Sequence, residues 1–303
     1  YALSRFIIRE GFFNGSYPLN RFARVELGGS LYSIERATQY LSQAFTATQS
    51  TGYYVDSIVN RSTLTYINPF VAYVSDNTLF GMTGPIFGHR MRFEAGPTLG
   101  GAKWMHVALD YRRYDAIVFN YLTFATRAQV DLSMGKDEME FPKYIGQPFY
   151  VRGYDHSAYG STGCGTISGG GTACSATELL GSRVAFANAE LRFPILRSAY
   201  FGLLPFAFPP VEGLFFYDIG AAWKGGQSLS LTRPDNYDYA KQRYFLGSHG
   251  FGIRANLFNI AMIRWDYAIP HNAASRKGYW VWTLGSSYWD GRPRPRTEDR
   301  RGK

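Results

Sequence analysis

The chain has 303 residues, 17% of them aromatic and only 18% charged, with 23 Tyr, 23 Phe and 33 Gly. Mean hydropathy is −0.21, and no run of about 18 apolar residues exists that could form a transmembrane helix. The formal charge of +9 is spread along the chain, with many Arg and Lys on alternating positions beside Glu or Asp. That pattern describes a solvated face and excludes a phosphate-binding stripe, and with it nucleic acid as a partner. The composition leaves two all-β classes, a large soluble sandwich or a membrane barrel whose strands alternate lipid-facing and water-facing residues.

In chain order, strand-like segments fall near 1–10, 21–35, 66–76, 88–97, 102–115, 119–134, 182–195, 212–223, 247–257, 259–269 and 278–289. The clearest is YLTFATRAQVDLSMG at 121–135. Leu122, Phe124, Thr126, Ala128, Val130, Leu132 and Met134 share one face. Thr123, Arg127, Gln129, Asp131 and Ser133 share the other. In 104–114, Met105, Val107, Leu109 and Tyr111 oppose His106, Asp110 and Arg112. In 184–195, Ala185 to Ile195 on one parity oppose Asn188, Glu190 and Arg192, and in 251–257 Phe251 and Ile253 oppose Arg254. In 259–269, Ile263, Trp265 and Tyr267 oppose Arg264 and Asp266. A soluble sandwich rarely sets charges opposite an apolar face over such long strands, so the alternation favours a transmembrane antiparallel β-barrel. Phe215, Tyr217, Trp265, Tyr267, Trp280 and Trp282 are then expected to point outward.

Bacterial single-chain barrels have even strand numbers. Eleven strands, the first starting at residue 1, predict further strands upstream. The barrel is expected over 1–289, N-terminally incomplete, with GRPRPRTEDRRGK within 290–303 forming a basic, soluble tail. Connections are short at 98–101, 116–118 and 257–259 and long at 36–65, 135–181 and 224–246. The longest, 135–181, is of a length that usually signals function.

That loop holds Cys164 and Cys174 in CGTISGGGTAC. The spacing is neither a redox CxxC pair nor a zinc pattern. A loop closed by a disulfide in an oxidising compartment is the natural reading, and two free loop thiols are the alternative. The five histidines are scattered, Asp155-His156-Ser157 is no triad, and glycines 169–171 lack the Lys and helix of a phosphate loop. No enzyme activity, cofactor or metal is expected.

Five segments then resemble one family. FPKYIGQPFYVRGYD contains Val151-Arg152-Gly153-Tyr154; LLGSRVAFANAELRFP follows, with Glu190 facing inward. GLFFYDIGAAW puts Phe216, Asp218 and Gly220 on the inner face. SDNTLFGMTGPIFGHRMRF looks like a periplasmic hairpin, and YWVWTLGSSYW a closing strand with Gly285 at its kink. In this order and parity, 66–289 resembles the BamA/TamA-type outer-membrane protein assembly and translocation superfamily, the bacterial surface antigen barrel. The resemblance implies strands six to sixteen of a sixteen-stranded barrel in the bacterial outer membrane. It also implies a V-R-G-F/Y loop folded into the lumen.

The motif also has its own physical logic. A guanidinium is always charged and pairs bidentately with carboxylates, and glycine lets the backbone come close to a wall. Arg152 inside the lumen therefore needs Asp218, Glu190 or both, with Tyr154 packed on the wall. The bland alternative is an exposed loop arginine. The function implied by the resemblance is insertion or translocation of proteins without cofactor or nucleotide. Its partners are outer-membrane lipid, unfolded or nascent outer-membrane proteins and periplasmic accessory proteins. The alternative is a passive barrel that anchors an upstream domain or serves a larger envelope complex.

Overall fold

A computed structural model describes residues 2–45, 50–81, 83–119, 121–154, 176–197, 199–200, 207–232, 234, 238, 240–257, 261–271 and 278–285. Eleven long strands make one continuous sheet: β1 (Ala2–Pro18), β2 (Ala23–Phe45), β3 (Ser50–Asp76), β4 (Pro85–Gly100), β5 (Trp104–Val118), β6 (Leu122–Met134), β7 (Arg183–Leu196), β8 (Val211–Trp223), β9 (Leu246–Leu257), β10 (Ala261–Pro270) and β11 (Tyr279–Gly285). Their order in the sheet is their order in the sequence, and the two-residue strand Leu79–Phe80 joins β4. The pairs β1–β2, β7–β8, β8–β9, β9–β10 and β10–β11 are antiparallel. Among the described residues the order gives β1 and β11 one neighbour each.

The expected connection at 36–65 is corrected. β2 runs on to Phe45 and β3 starts at Ser50, so most of that stretch is strand. The segment is polar on both parities, which erased the period-2 signal. Its Thr, Tyr, Val and Ile content still favours extended backbone, and a ladder needs no apolar face to form its main-chain bonds. β1 likewise extends to Pro18, paired with Arg24. It ends in a turn where Asn20 Oδ1 accepts the Phe22 and Ala23 amides at 2.8 and 2.9 Å, an Asx turn.

The chain forms two compact units. The first comprises 1–74, 92–108 and 132–141. Its apolar centre is Ile34, Tyr66 and Ala102, with Tyr32, Trp104 and Phe141 packed against them. Arg92 bridges Glu26 and Glu94 at 2.6 and 2.7 Å. The second comprises 75–91, 109–131 and 142–303, and its core gathers around Ile145, Val151, Tyr154, Leu179, Val184 and Phe186.

Burial follows the alternation. On β6, Thr123, Ala125, Arg127, Gln129 and Ser133 are buried, while Phe124 is exposed. Asn188, Glu190, Arg192, Asp218, Arg254, Arg264 and Asp266 are buried on what we term the inner face. Phe215, Tyr217, Trp265, Trp280 and Trp282 are exposed on the other. Tyr267 is half-buried, its ring 5.6 Å from Phe251 and 5.3 Å from Trp280. This is the reverse of a water-soluble sheet, where charges face solvent and aromatics fill the core.

Candidate functional site

After β6 the chain turns back onto the inner face of the second unit. Lys143 and Tyr144 pair with Gly181 and Leu180, and the Lys143 ammonium binds Asp131 at 2.7 Å and the Ser182 carbonyl at 3.1 Å. This short ladder fixes both feet of the loop next to β6 and β7. From Ile145 onward, apolar residues anchor it: Ile145, Val151, Tyr154 and Leu179 are fully buried against Val184, Phe186, Ala222 and Leu246. The main chain is held as well. Arg127 donates to the Phe149 carbonyl at 3.2 Å and Asn188 to the Tyr150 carbonyl at 2.7 Å.

Arg152 follows, 1% exposed. Its Nε and Nη2 donate to the two oxygens of Asp218 at 2.5 and 2.6 Å, a two-point fork. The Arg152 amide also reaches Asp218, at 3.2 Å. Nη1 donates to Glu190 at 3.0 Å and lies 3.4 Å from Asp266. The guanidinium carbon sits 3.5 Å from the centre of the Phe216 ring, which adds a cation–π contact. Gly153 has φ +90°, a backbone state that L side chains rarely adopt. A Cβ there would also stand 3.5 Å from Ala268 Cβ and 3.6 Å from Ser248 Cβ. The turn thus runs directly along the wall. Tyr154 then donates from Oη to the Gly247 carbonyl at 2.7 Å, and its own carbonyl accepts Tyr144 Oη at 3.2 Å.

Burying this much charge is favourable only if it is paired and hydrogen-bonded. Here the signs balance. Arg152, Arg192, Arg254 and Arg264 face Glu190, Asp218, Glu212 and Asp266. Glu190 accepts from Arg192 Nε at 2.8 Å and Arg264 Nη2 at 2.7 Å besides Arg152. Arg254 and Arg264 are direct cross-strand neighbours, a like-charge pairing that is unfavourable alone. Each turns to a different acid: Arg254 to Glu212, Arg264 to Asp266 and Glu190. Asn188 lies opposite Asp218 in the ladder and donates to it at 2.8 Å.

The structure thus brings Arg152, Gly153, Tyr154, Glu190 and Asp218 into one cluster. Gly285 is the last residue of β11, in register with Met262. Cys164, Cys174 and the tail lie outside the described residues. Sequence reasoning put Asn188, Arg192, Phe216, Arg264 and Asp266 on the inner face but did not join them to Arg152. That required the register of β7 to β10, which no local pattern encodes. The link from Arg127 to the loop carbonyl left no sequence signal either. Among the described residues, no group of three or more His, Cys, Asp or Glu could hold a metal ion.

Tyr154→Phe tests the wall contact. It removes one hydroxyl from a fully buried ring and one of two donors to the Gly247 carbonyl, which keeps the His271 amide at 2.8 Å. The expected loss is about 0.5–1.5 kcal/mol of stability, the net worth of one hydrogen bond, read as a lowered thermal midpoint in detergent. A midpoint equal to wild type would show that the bond does not hold the loop.

An antiparallel sheet with aromatics outward, charges inward and a loop seated on its inner face defines an outer-membrane β-barrel. The chain belongs to the Omp85 superfamily, whose domain matches residues 22–287. It is similar to the crystal structure of BamA from Haemophilus ducreyi lacking POTRA domains 1–3, at 14% identity and TM-score 0.63, over 93% of this chain and 54% of that one. It is also similar to CdiB from Acinetobacter baumannii, at 14% identity and TM-score 0.51, over 93% of this chain and 42% of that one. The chain therefore spans about half the length of these structures. No curated protein sequence matches it.

Proposed function

We propose that this barrel takes part in inserting proteins into, or translocating them across, the outer membrane. In this reading the Val151–Tyr154 loop acts as an internal clamp. One observation carries it: a loop arginine, 1% exposed, forks onto Asp218 on β8 and reaches Glu190 on β7. Such a contact ties a connection between two strands to the wall of neighbouring strands, and superfamily membership supports the same reading. The substrate would be an unfolded or nascent outer-membrane protein, and the solvent of the reaction outer-membrane lipid. Periplasmic accessory proteins would deliver it. Catalysis here needs no proton or electron transfer. A strand edge offers unpaired main-chain groups, and an incoming strand gains hydrogen bonds by pairing with it.

The test is reconstitution of the full-length protein in vesicles, with folding of an added outer-membrane substrate followed by its protection from protease. Acceleration of about tenfold over empty vesicles is expected, worth about 1.4 kcal/mol in the barrier. Folding no faster than in empty vesicles, with or without periplasmic extract, would favour a passive barrel.

A further inference from the structure

One pair of side chains lies outside the clamp and is unused by it. His249 on β9 and His271, one residue beyond β10, bring Nδ1 and Nε2 to 2.5 Å, with ring centroids 4.7 Å apart. His249 is exposed, and His271 is half-buried beside Tyr217, ring centroids 5.6 Å apart. In the ladder His249 faces Ile269, so His271 lies two positions further on the same parity. Two features fix it there. The His271 amide donates to the Gly247 carbonyl at 2.8 Å. Its Nδ1 also packs over Gly247, where a Cβ would come within 3.3 Å of that nitrogen and 3.6 Å of Tyr217 Oη.

Two imidazole nitrogens that face each other share a single proton, and a cation can take that proton's place. Here the backbone already holds both rings, so little ordering is left for a metal to impose. We propose that His249 and His271 form a two-histidine chelate for a divalent transition-metal ion of the imidazole-preferring kind, Zn²⁺, Ni²⁺ or Cu²⁺. Bonds of about 2.0–2.1 Å to each nitrogen require the rings to swing apart slightly, which rotation at the exposed His249 allows. Water completes the coordination. A bound ion ties β9 to the residue that follows β10.

The test uses the untagged full-length protein in vesicles, titrated separately with Zn²⁺, Ni²⁺ and Cu²⁺ alone and read by calorimetry. One ion per chain is expected for at least one metal. His249→Ala and His271→Ala should each weaken it at least tenfold, while His106→Ala leaves it unchanged. His249 is exposed, so its variant is expected to keep the wild-type thermal midpoint, and a raised midpoint with metal should vanish with it. Equal binding by wild type and both variants would overturn the proposal. So would the lack of any saturable binding below millimolar metal, which would leave a hydrogen-bonded pair. Neither result depends on the insertion reading.

Discussion

Arg152→Met is expected to destabilise the protein by about 3–5 kcal/mol, the cost of leaving buried carboxylates without their cation. Methionine has comparable length and no charge, so Asp218 loses its fork and Glu190 one of its three arginines. The loop should also loosen, because the fork onto Asp218 is lost and only the residue-152 amide, at 3.2 Å, still reaches that carboxylate. Two readings follow this: the thermal midpoint of the folded barrel in detergent, and protease cleavage between residues 145 and 160. Arg152→Lys keeps the charge but offers no planar fork, and is expected to restore only part of the loss. Arg113→Met is the control. Its side chain is 58% exposed and pairs with exposed Asp115, so it should leave the thermal midpoint close to that of wild type. Arg112 would serve badly, being buried and paired with Asp110 at 2.6 Å. The double variant Arg152→Met, Asp218→Leu should recover stability relative to Arg152→Met, since it removes the orphaned charge. If Arg152→Met matches Arg113→Met in both readings, the ion pair does not hold the loop.

The parts legible in the sequence were those encoded by period 2. Each inner-face charge of β7 to β10 could be assigned from its own strand, because successive side chains point to opposite faces. Pairs two apart on one strand were legible too: Asp110 with Arg112, Glu190 with Arg192 and Arg264 with Asp266 all bond as neighbours on one face. What stayed hidden depends on register between strands. Nothing near residue 152 indicates that Asp266, 114 positions away, lies 3.4 Å from its guanidinium. Arg127 is hidden for the same reason, since its loop contact is to a main-chain carbonyl, and every residue has one. The misjudged length of β2 and β3 arose where both parities are polar and periodicity falls silent.

Glu190→Gln separates the wall from the loop. Glu190 is fully buried and accepts from Arg152, Arg192 and Arg264. Glutamine keeps its shape but replaces an acceptor by an NH₂ group, which must then face a guanidinium. Four arginines would share three acids, Asp218, Glu212 and Asp266, and Arg192 and Arg264 would feel the deficit most. The expected loss is again about 3–5 kcal/mol, and larger than for Asp266→Asn, which serves Arg264 at short range and Arg152 only at 3.4 Å. The loop, however, should stay in place. Arg152 keeps its fork on Asp218, and Tyr154 keeps the Gly247 carbonyl. Glu190→Gln should therefore lower the thermal midpoint while leaving the loop as resistant to protease as in wild type below that midpoint. Arg152→Met should change both. Cleavage of the loop in Glu190→Gln at low temperature would mean that the network is one indivisible unit. Asp218 would then be no separate anchor.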